Sequence, residues 1–232
     1  MTETESRIVF DQERASSYDE QFTKLLPFKD AFHLGMRLVF SDLPADARIL
    51  CVGVGTGAEL LYLAREFPGW NFTAIEPAAP MLDICRQRAR ESGIASRCTF
   101  HNGYLETLPD TGAFDAATSV LVSHFFMDPD ERRDFFQQIA ERLRPGGYLV
   151  SADLASDMSR IEFKGLLELW RRMMAYSDLP AEKAGEYLDA LGKQAAVLPP
   201  QEVGSLIASS GFREPVLFLQ TLMIHAWYAR RA

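Results

Sequence analysis

The sequence predicts a doubly wound α/β fold with a mostly parallel sheet, on three observations. From Arg48 to about Asp153, short β-type runs alternate with longer helical ones. The first run breaks into glycines at alternate positions, Gly53-Val54-Gly55-Thr56-Gly57, just before a helical pattern resumes. The last two β-type runs, PVLFLQT and MIHAWYA, are close enough to pair as a hairpin. A seven-stranded sheet with an antiparallel C-terminal strand follows.

Each element has its own warrant. Two helical stretches, about Gln12 to Thr23 and Phe28 to Phe40, come first and are separated by Pro27. RILCVG then reads as a strand, GAELLYLAREF as a helix, NFTAIE as a strand and APMLDICRQRARES as a helix. SRCTFHNG and FDAATSVLV are the next strands, DERRDFFQQIAERLR a helix and GYLVSADL a strand. Strands in such alternation are parallel, joined by crossover helices and covered on both faces. Pro129 and Asp130 open the last of these helices, and Arg144-Pro145-Gly146-Gly147 closes it. Two helices, FKGLLELWRRMMAYS and AEKAGEYLDALGKQAA, follow, with a break at Leu179-Pro180. Pro199-Pro200 starts a further helix, QEVGSLIASSG, before the hairpin.

With 232 residues, 47% of them hydrophobic, the chain can bury one sizeable core. The expected organisation is one domain over 1–232. Its parts are an N-terminal helical cap (1–45), a ligand-binding core (46–154), a helical lid inserted after the fifth strand (155–200), and a final helix and hairpin (201–232). Lys plus Arg number 24 against 32 Asp plus Glu, a net charge of -8, so the averaged field repels a phosphate backbone. Nucleic acid is therefore not expected as a partner. No apolar run approaches the ~18 residues that span a bilayer, and MTETESR lacks the pattern of a signal peptide, so a cytoplasmic protein with no membrane partner is expected. Cys51, Cys85 and Cys98 form no C-x-x-C pair and do not cluster with the four histidines; neither a disulfide framework nor a metal is expected.

The glycines admit two occupants, a dinucleotide or S-adenosylmethionine, because Gly53 to Ala58 satisfies both G-x-G-x-x-G/A and G-x-G-x-G spacing. Several stretches, in order, decide between them. FDQERASSYDEQF, ILCVGVGTG, AIEPAAPMLDICRQRA, HNGYLETLP, FDAATSVLVSHF and LRPGGYLVSADL together resemble the class I S-adenosylmethionine-dependent methyltransferases, from Phe10 to the C-terminus. The resemblance implies a Rossmann-like fold, S-adenosyl-L-methionine as cofactor and S-adenosyl-L-homocysteine as product. It places Gly53, Val54, Gly55, Thr56 and Gly57 around the cofactor, Glu76 on the ribose hydroxyls, and Pro77 and Met81 beside the adenine, although Met81 also suits ordinary core packing. Gly103, Tyr104, Leu105, Ser119 and Val120 complete the cofactor set. Two departures matter. Cys51 stands where the family usually has an acid, and Glu59 either replaces that charge or serves the helix dipole. Tyr104 stands where Asp is frequent and either meets the adenine or is a surface aromatic.

Transfer of a methyl group to a small-molecule acceptor is an in-line displacement that needs alignment and exclusion of water, with a base where the acceptor must lose a proton. His124, after the fourth strand, is the candidate base, or else a packing histidine. His33 and His225 read as structural, and His101 as solvent-exposed. Tyr18, Trp170, Arg172, Met173 and Tyr176 are candidates for the acceptor site, the last four on the lid helix, whose apolar stripe also suits packing to the core. The chain, through WRRMMAYSDL, also resembles carboxy-S-adenosylmethionine synthase, in which an arginine of the corresponding helix holds the added carboxylate. A synthase-like or tRNA-modifying enzyme, or a cofactor-binding module without catalysis, thus remains as an alternative. The sequence is compatible with a homodimer.

Overall fold

The computed structural model describes residues 21–177 and 179–232. Most of the helix expected over Gln12 to Thr23, including Tyr18, lies outside them. The strands are β1 (Arg48–Val52), β2 (Asn71–Glu76), β3 (Cys98–Asn102), β4 (Phe114–Val120), β5 (Leu143–Leu154), β6 (Phe212–Thr221) and β7 (Ile224–Arg231). They form one sheet in the order β3-β2-β1-β4-β5-β7-β6. Only β7 runs against its neighbours, pairing antiparallel with both β5 and β6. The antiparallel strand is thus second from the edge, and β6 rather than the last strand forms the border.

The helices are α1 (Leu26–Val39), α2 (Ala58–Glu66), α3 (Ala79–Glu91), α4 (Pro129–Arg142), α5 (Glu162–Tyr176), α6 (Ala181–Ala190) and α7 (Pro200–Ser209). Pro27 lies inside the second expected helix rather than ahead of it, in the first turn of α1, where its missing N–H has no helical partner to lose. Alternation along the strands sorts the core into two faces. Ile49, Cys51, Ala74 and Val150 point to the side packed by Phe32 and Met36 of α1, Leu60 and Leu63 of α2, and Leu82 and Cys85 of α3. Leu50, Val52, Ile75 and Leu149 point to the other, against Phe135, Phe136 and Ile139 of α4 and Val203 and Ile207 of α7. Nearly all these residues are withdrawn from water, each side chain contributing ~1.5–3 kcal/mol.

At the start of β5 the expected turn is folded into the strand. α4 ends at Arg142, and Leu143 already pairs with Phe114, whereas the next pair is Tyr148 with Ala116. Residues 144–147 therefore loop out opposite Asp115, with Gly146 at φ 76°.

The segment between β5 and α7 holds α5 and α6 and has its own small core, in which Trp170, Met173, Met174, Leu179 and Met223 are buried. Its two ends meet: Ala155 bridges to Leu198, and the Ser156 N–H donates to the Leu198 carbonyl at 2.9 Å. Among the described residues, no helix is long and apolar enough to cross a membrane.

Candidate functional site

The carboxyl end of β1 turns into α2 through Gly53, Gly55 and Gly57, all at positive φ (67°, 54° and 88°). The Gly53 and Val54 N–H groups donate to the Ile75 carbonyl at 2.9 and 3.0 Å, which fastens the loop to the end of β2. A Cβ on Gly53 would lie 2.4 Å from Val122 Cγ2, and one on Gly57 2.6 Å from Cys85 Sγ. These two glycines are required by packing as well as by φ. At Gly55 the nearest atom would be Met81 Cε at 3.5 Å, so this glycine keeps an open side. Val54 and Thr56 are buried and carry the loop.

Glu76 closes β2 and is 8% exposed. Its carboxylate accepts from the Gly55 N–H at 3.0 Å through Oε2 and from the Ala78 N–H at 2.9 Å through Oε1. Burial pushes its pKa up, and these two hydrogen bonds oppose the shift. Each oxygen still has acceptor capacity, so the group can take the two donors of a ribose diol while it holds the glycine loop. The donor set therefore fits an adenosyl ligand. Asn102 was not singled out by the sequence, yet its Nδ2 donates to the carbonyls of Glu76 at 2.9 Å and Pro77 at 3.1 Å. It fixes the exposed Pro77 and the turn into α3, on which Met81 is buried.

Past β3, a Cβ on Gly103 would lie 2.7 Å from Thr107 Oγ1. The Tyr104 carbonyl accepts from the Thr107 N–H and hydroxyl at 3.1 and 2.8 Å, while its ring is 44% exposed. Leu105 is buried beneath this turn. His101 is not freely exposed as expected; it is half-buried, its Nε2 2.8 Å from the Thr107 hydroxyl. At the end of β4, Ser119 is fully buried with no hydrogen-bond partner for its hydroxyl among the described residues, and Val120 is half-buried.

Cys51 is fully buried at the end of β1. Burial, and after it the charge of Glu59, push its thiol well above the ordinary range. Glu59, in the first turn of α2, is 6% exposed. Its charge also acts on Cys85, whose thiol is raised to about 12, mainly by burial.

His124 lies in a 3-10 turn (Ser123–Phe125) after β4 and is 5% exposed. Its Nδ1 is 3.0 Å from Asp153 Oδ1, and its backbone N–H donates to the same oxygen at 3.0 Å. Asp153 Oδ2 accepts from the hydroxyls of Ser123 at 2.6 Å and Ser151 at 3.2 Å. Arg132, wholly buried on α4, places Nη2 3.6 Å from Asp153 and donates from Nε to Ser123 at 2.9 Å. Burial alone would raise the Asp153 pKa; the Arg132 charge and the hydrogen bonds from His124 and Ser123 outweigh it and hold the carboxyl below the ordinary range. With Asp153 ionised, the neutral imidazole carries its proton on Nδ1. Nε2 is then an acceptor, with no hydrogen bond among the described residues. The sequence reading reached His124 but not its partners, because Asp153 reads as part of an apolar strand and Arg132 as one more charge in DERRDFF. An Asp at the end of an otherwise apolar run was the available signal.

The remaining candidates divide. Trp170 and Met173 face inward in the α5–α6 core. Arg172 lies on the outer side of α5, with its Nε 3.1 Å from Glu168, and Tyr176 is 64% exposed with Lys24 5.5 Å over its ring. His33 is buried against the Tyr62 ring at 4.6 Å, and burial lowers its pKa to about 4. His225 is buried, with Nδ1 3.1 Å from the Met223 carbonyl.

Residues 49–147, which hold the glycine loop, Glu76 and His124, match the family described as a methyltransferase domain. An uncharacterized protein of Synechococcus sp. is 33% identical over 150 residues, which are 63% of this chain and 34% of that protein. The carboxy-S-adenosyl-L-methionine synthase of Nautilia profundicola is 23% identical over 218 residues, 90% of this chain and 88% of that enzyme. Among solved structures, an O-methyltransferase family protein from Burkholderia thailandensis shares the fold with a TM-score of 0.67 at 16% identity, over 96% of this chain and 60% of that one. The chain thus spans only part of two of these three relatives. Over residues 49–147 the chain is thus similar to a methyltransferase domain.

Proposed function

We propose that the chain methylates a hydroxyl group of a small, largely apolar molecule, with His124 as the base. The observation that carries this is the buried His124–Asp153 pair, which holds one imidazole nitrogen and leaves the other as an acceptor. S-adenosylmethionine, when bound, supplies a methyl group on a sulfonium. Glu76 and the Gly53–Gly57 loop would hold it at the carboxyl end of the sheet. His124 Nε2 would accept the proton of the acceptor hydroxyl as that oxygen takes up the methyl group. Asp153 keeps the imidazole in the acceptor tautomer and stabilises the imidazolium that results. The α5–α6 segment, whose apolar core holds Trp170 and Met173, is read as a lid that would exclude water from the acceptor. The O-methyltransferase family of the Burkholderia protein agrees with a hydroxyl acceptor.

The test is methyl transfer to a panel of hydroxylated aromatic and aliphatic compounds, followed by mass spectrometry of the products. His124→Asn should lower kcat ~10²- to 10⁴-fold and leave cofactor affinity by calorimetry unchanged. A loss of less than a few-fold removes the base assignment. A second reading, synthesis of a carboxylated cofactor, rests on the match along nearly the whole Nautilia enzyme. It predicts a carboxy-S-adenosylmethionine mass among nucleosides that copurify with the protein; an unmodified cofactor or its product there counts against it.

A further inference from the structure

A pocket of about 150 Å³ lies at the end of the sheet opposite the glycine loop, lined by the first residues of β1, β2, β3 and β4. Asn71 in its wall and Glu76 stand at the two ends of β2, about 16 Å apart along an extended strand. The two places are separate. Local connections explain the opening. β1, β2 and β4 are each followed by an α-helix, whereas β3 leads to β4 through a 3-10 turn (Leu105–Thr107). That crossover is too short to lay a helix across the start of β2 and β3, where Thr73 and Thr99 stand in register on neighbouring strands.

The lining is basic and rich in donors. Arg48 and Arg97 are its charged residues, and no carboxylate is among them. Both guanidiniums are held in place. Arg48 donates to the carbonyls of Thr111 at 2.5 Å and Ala113 at 3.2 Å and lies 5.0 Å from the centre of the Phe114 ring. Arg97 donates to the carbonyls of Trp70 at 2.8 Å and Ala64 at 2.9 Å and lies 6.0 Å from the Phe72 ring. These bonds leave each guanidinium with further N–H donors. Carbonyls carry no net charge, and neither arginine makes an ion pair among the described residues. The nearby Asp115 accepts from the Arg48 backbone N–H at 2.6 Å and pairs with Arg144 at 2.5 Å, so its charge is already matched. Burial pushes the Cys98 thiol up to about 11, so it adds no negative charge at neutral pH. The side chains of Asn71, Ser96, Thr99 and the buried Thr73 add amide and hydroxyl donors without a partner among the described residues.

We propose that this pocket binds a small tetrahedral oxyanion, either phosphate itself or the phosphate group of a small ester. Its oxygens can take donors arriving at once from β1, β2, β3 and the turn before β3, and its charge of about −2 answers both arginines. A carboxylate offers fewer oxygens and a single charge. The cavity matches in size, since about 150 Å³ accommodates a molecule as large as benzene. Because the arginines are already fixed by carbonyls and rings, binding orders little more of the protein.

The probe is inorganic phosphate, titrated in calorimetry at fixed ionic strength with chloride as the balancing salt. It should bind with a Kd of about 1 mM or tighter, and acetate roughly tenfold more weakly. Thr73→Val removes one hydroxyl and Arg48→Met one charge; each should weaken phosphate roughly tenfold. Arg48→Met also gives up the hold on Thr111 and Ala113, so Thr99→Val, on an exposed strand position, is the variant that spares the fold. Saturating S-adenosylhomocysteine should leave the phosphate affinity within about twofold. Absence of binding at ~10 mM phosphate, equal binding of acetate, or an affinity unchanged in all three variants overturns the proposal. Competition with S-adenosylhomocysteine also overturns it, because the ion would then sit at the glycine loop. Methyl phosphate separates the two sources: affinity equal to that of phosphate identifies a group carried on an ester, and loss of binding a free ion. The phosphate titrations need no cofactor, so failure of the methyl-transfer reading leaves their outcome intact.

Discussion

At the scale of single residues, burial and hydrogen bonding pull the Glu76 pKa in opposite directions. Burial favours the protonated form, whereas the N–H groups of Gly55 and Ala78, and the hydroxyls of a bound ribose, favour the carboxylate. In the free protein burial wins, so the group titrates above the usual carboxylate range. If Glu76 holds the ribose as proposed, ribose donors lower that pKa on binding and a proton is released. Affinity for S-adenosylhomocysteine should therefore be full at neutral pH and decline as pH falls through the raised pKa of the free protein, earlier than for an ordinary Glu. Glu76→Gln should flatten this decline in calorimetry across pH 4 to 7 and weaken binding at neutral pH by ~1–3 kcal/mol; a wild-type affinity that stays level across that range contradicts the ribose role. The place of Glu76 at the end of β2 was legible in the sequence, because it ends an alternating strand at a fixed distance from the glycines. Asn102 and Asp153 were not, since their partners stand 25 and 29 residues away and nothing local marks a clamp.

At the scale of elements, the β1–α2 turn combines backbone and packing demands that can be measured apart. Gly57 and Gly93 both have positive φ, but a Cβ on Gly57 meets Cys85 Sγ at 2.6 Å, whereas at Gly93 it meets nothing within 4 Å. Gly93→Ala should cost about 1–2 kcal/mol, the backbone part alone. Gly57→Ala should cost more, and Cys85→Ala in the same chain should return the excess, read from denaturant midpoints in a double-mutant cycle. Equal costs at both glycines would show that the Cys85 contact carries no energy. Periodicity revealed these elements, because alternation and helical spacing are local. It misplaced the junction of α4 and β5, where residues 144–147 are looped out by a bulge that only the pairing of β4 with β5 defines. It also left the inner and outer sides of α5 undivided. Trp170 and Met173 turn inward and Arg172 and Tyr176 outward, and that orientation depends on the position of the helix against Met223 and Leu179.

At the scale of the whole molecule, both faces of the sheet are covered, and the polar residues gather where β1, β2, β4 and β5 end together. The order of the strands creates this place: β1 and β4 are neighbours while their helices leave on opposite faces, so a cleft opens between them. Parallel order was readable from the alternation of elements, but the insertion of β7 between β5 and β6 was not, since a hairpin alone does not say which of its strands joins the sheet. The segment carrying α5 and α6 packs on the β6–β7 turn in a second, smaller core, with its ends tied together at Ala155 and Leu198. Replacing residues 158–194 by a short Gly-Ser turn should leave cofactor affinity within a few-fold and abolish methyl transfer. A collapse of cofactor binding would show instead that the frame depends on the segment.

That tied pair of ends has a consequence for how the chain can change. Once Ala155 and Leu198 are held together by the sheet and by α7, the entropy of closing the intervening chain grows only with the logarithm of its length, about 0.6 kcal/mol for each doubling. Residues can therefore be added to or removed from the segment at a cost far below that of altering a strand. On the reading of this segment as a lid over the acceptor, acceptor choice would drift while the cofactor site beneath it stays constant.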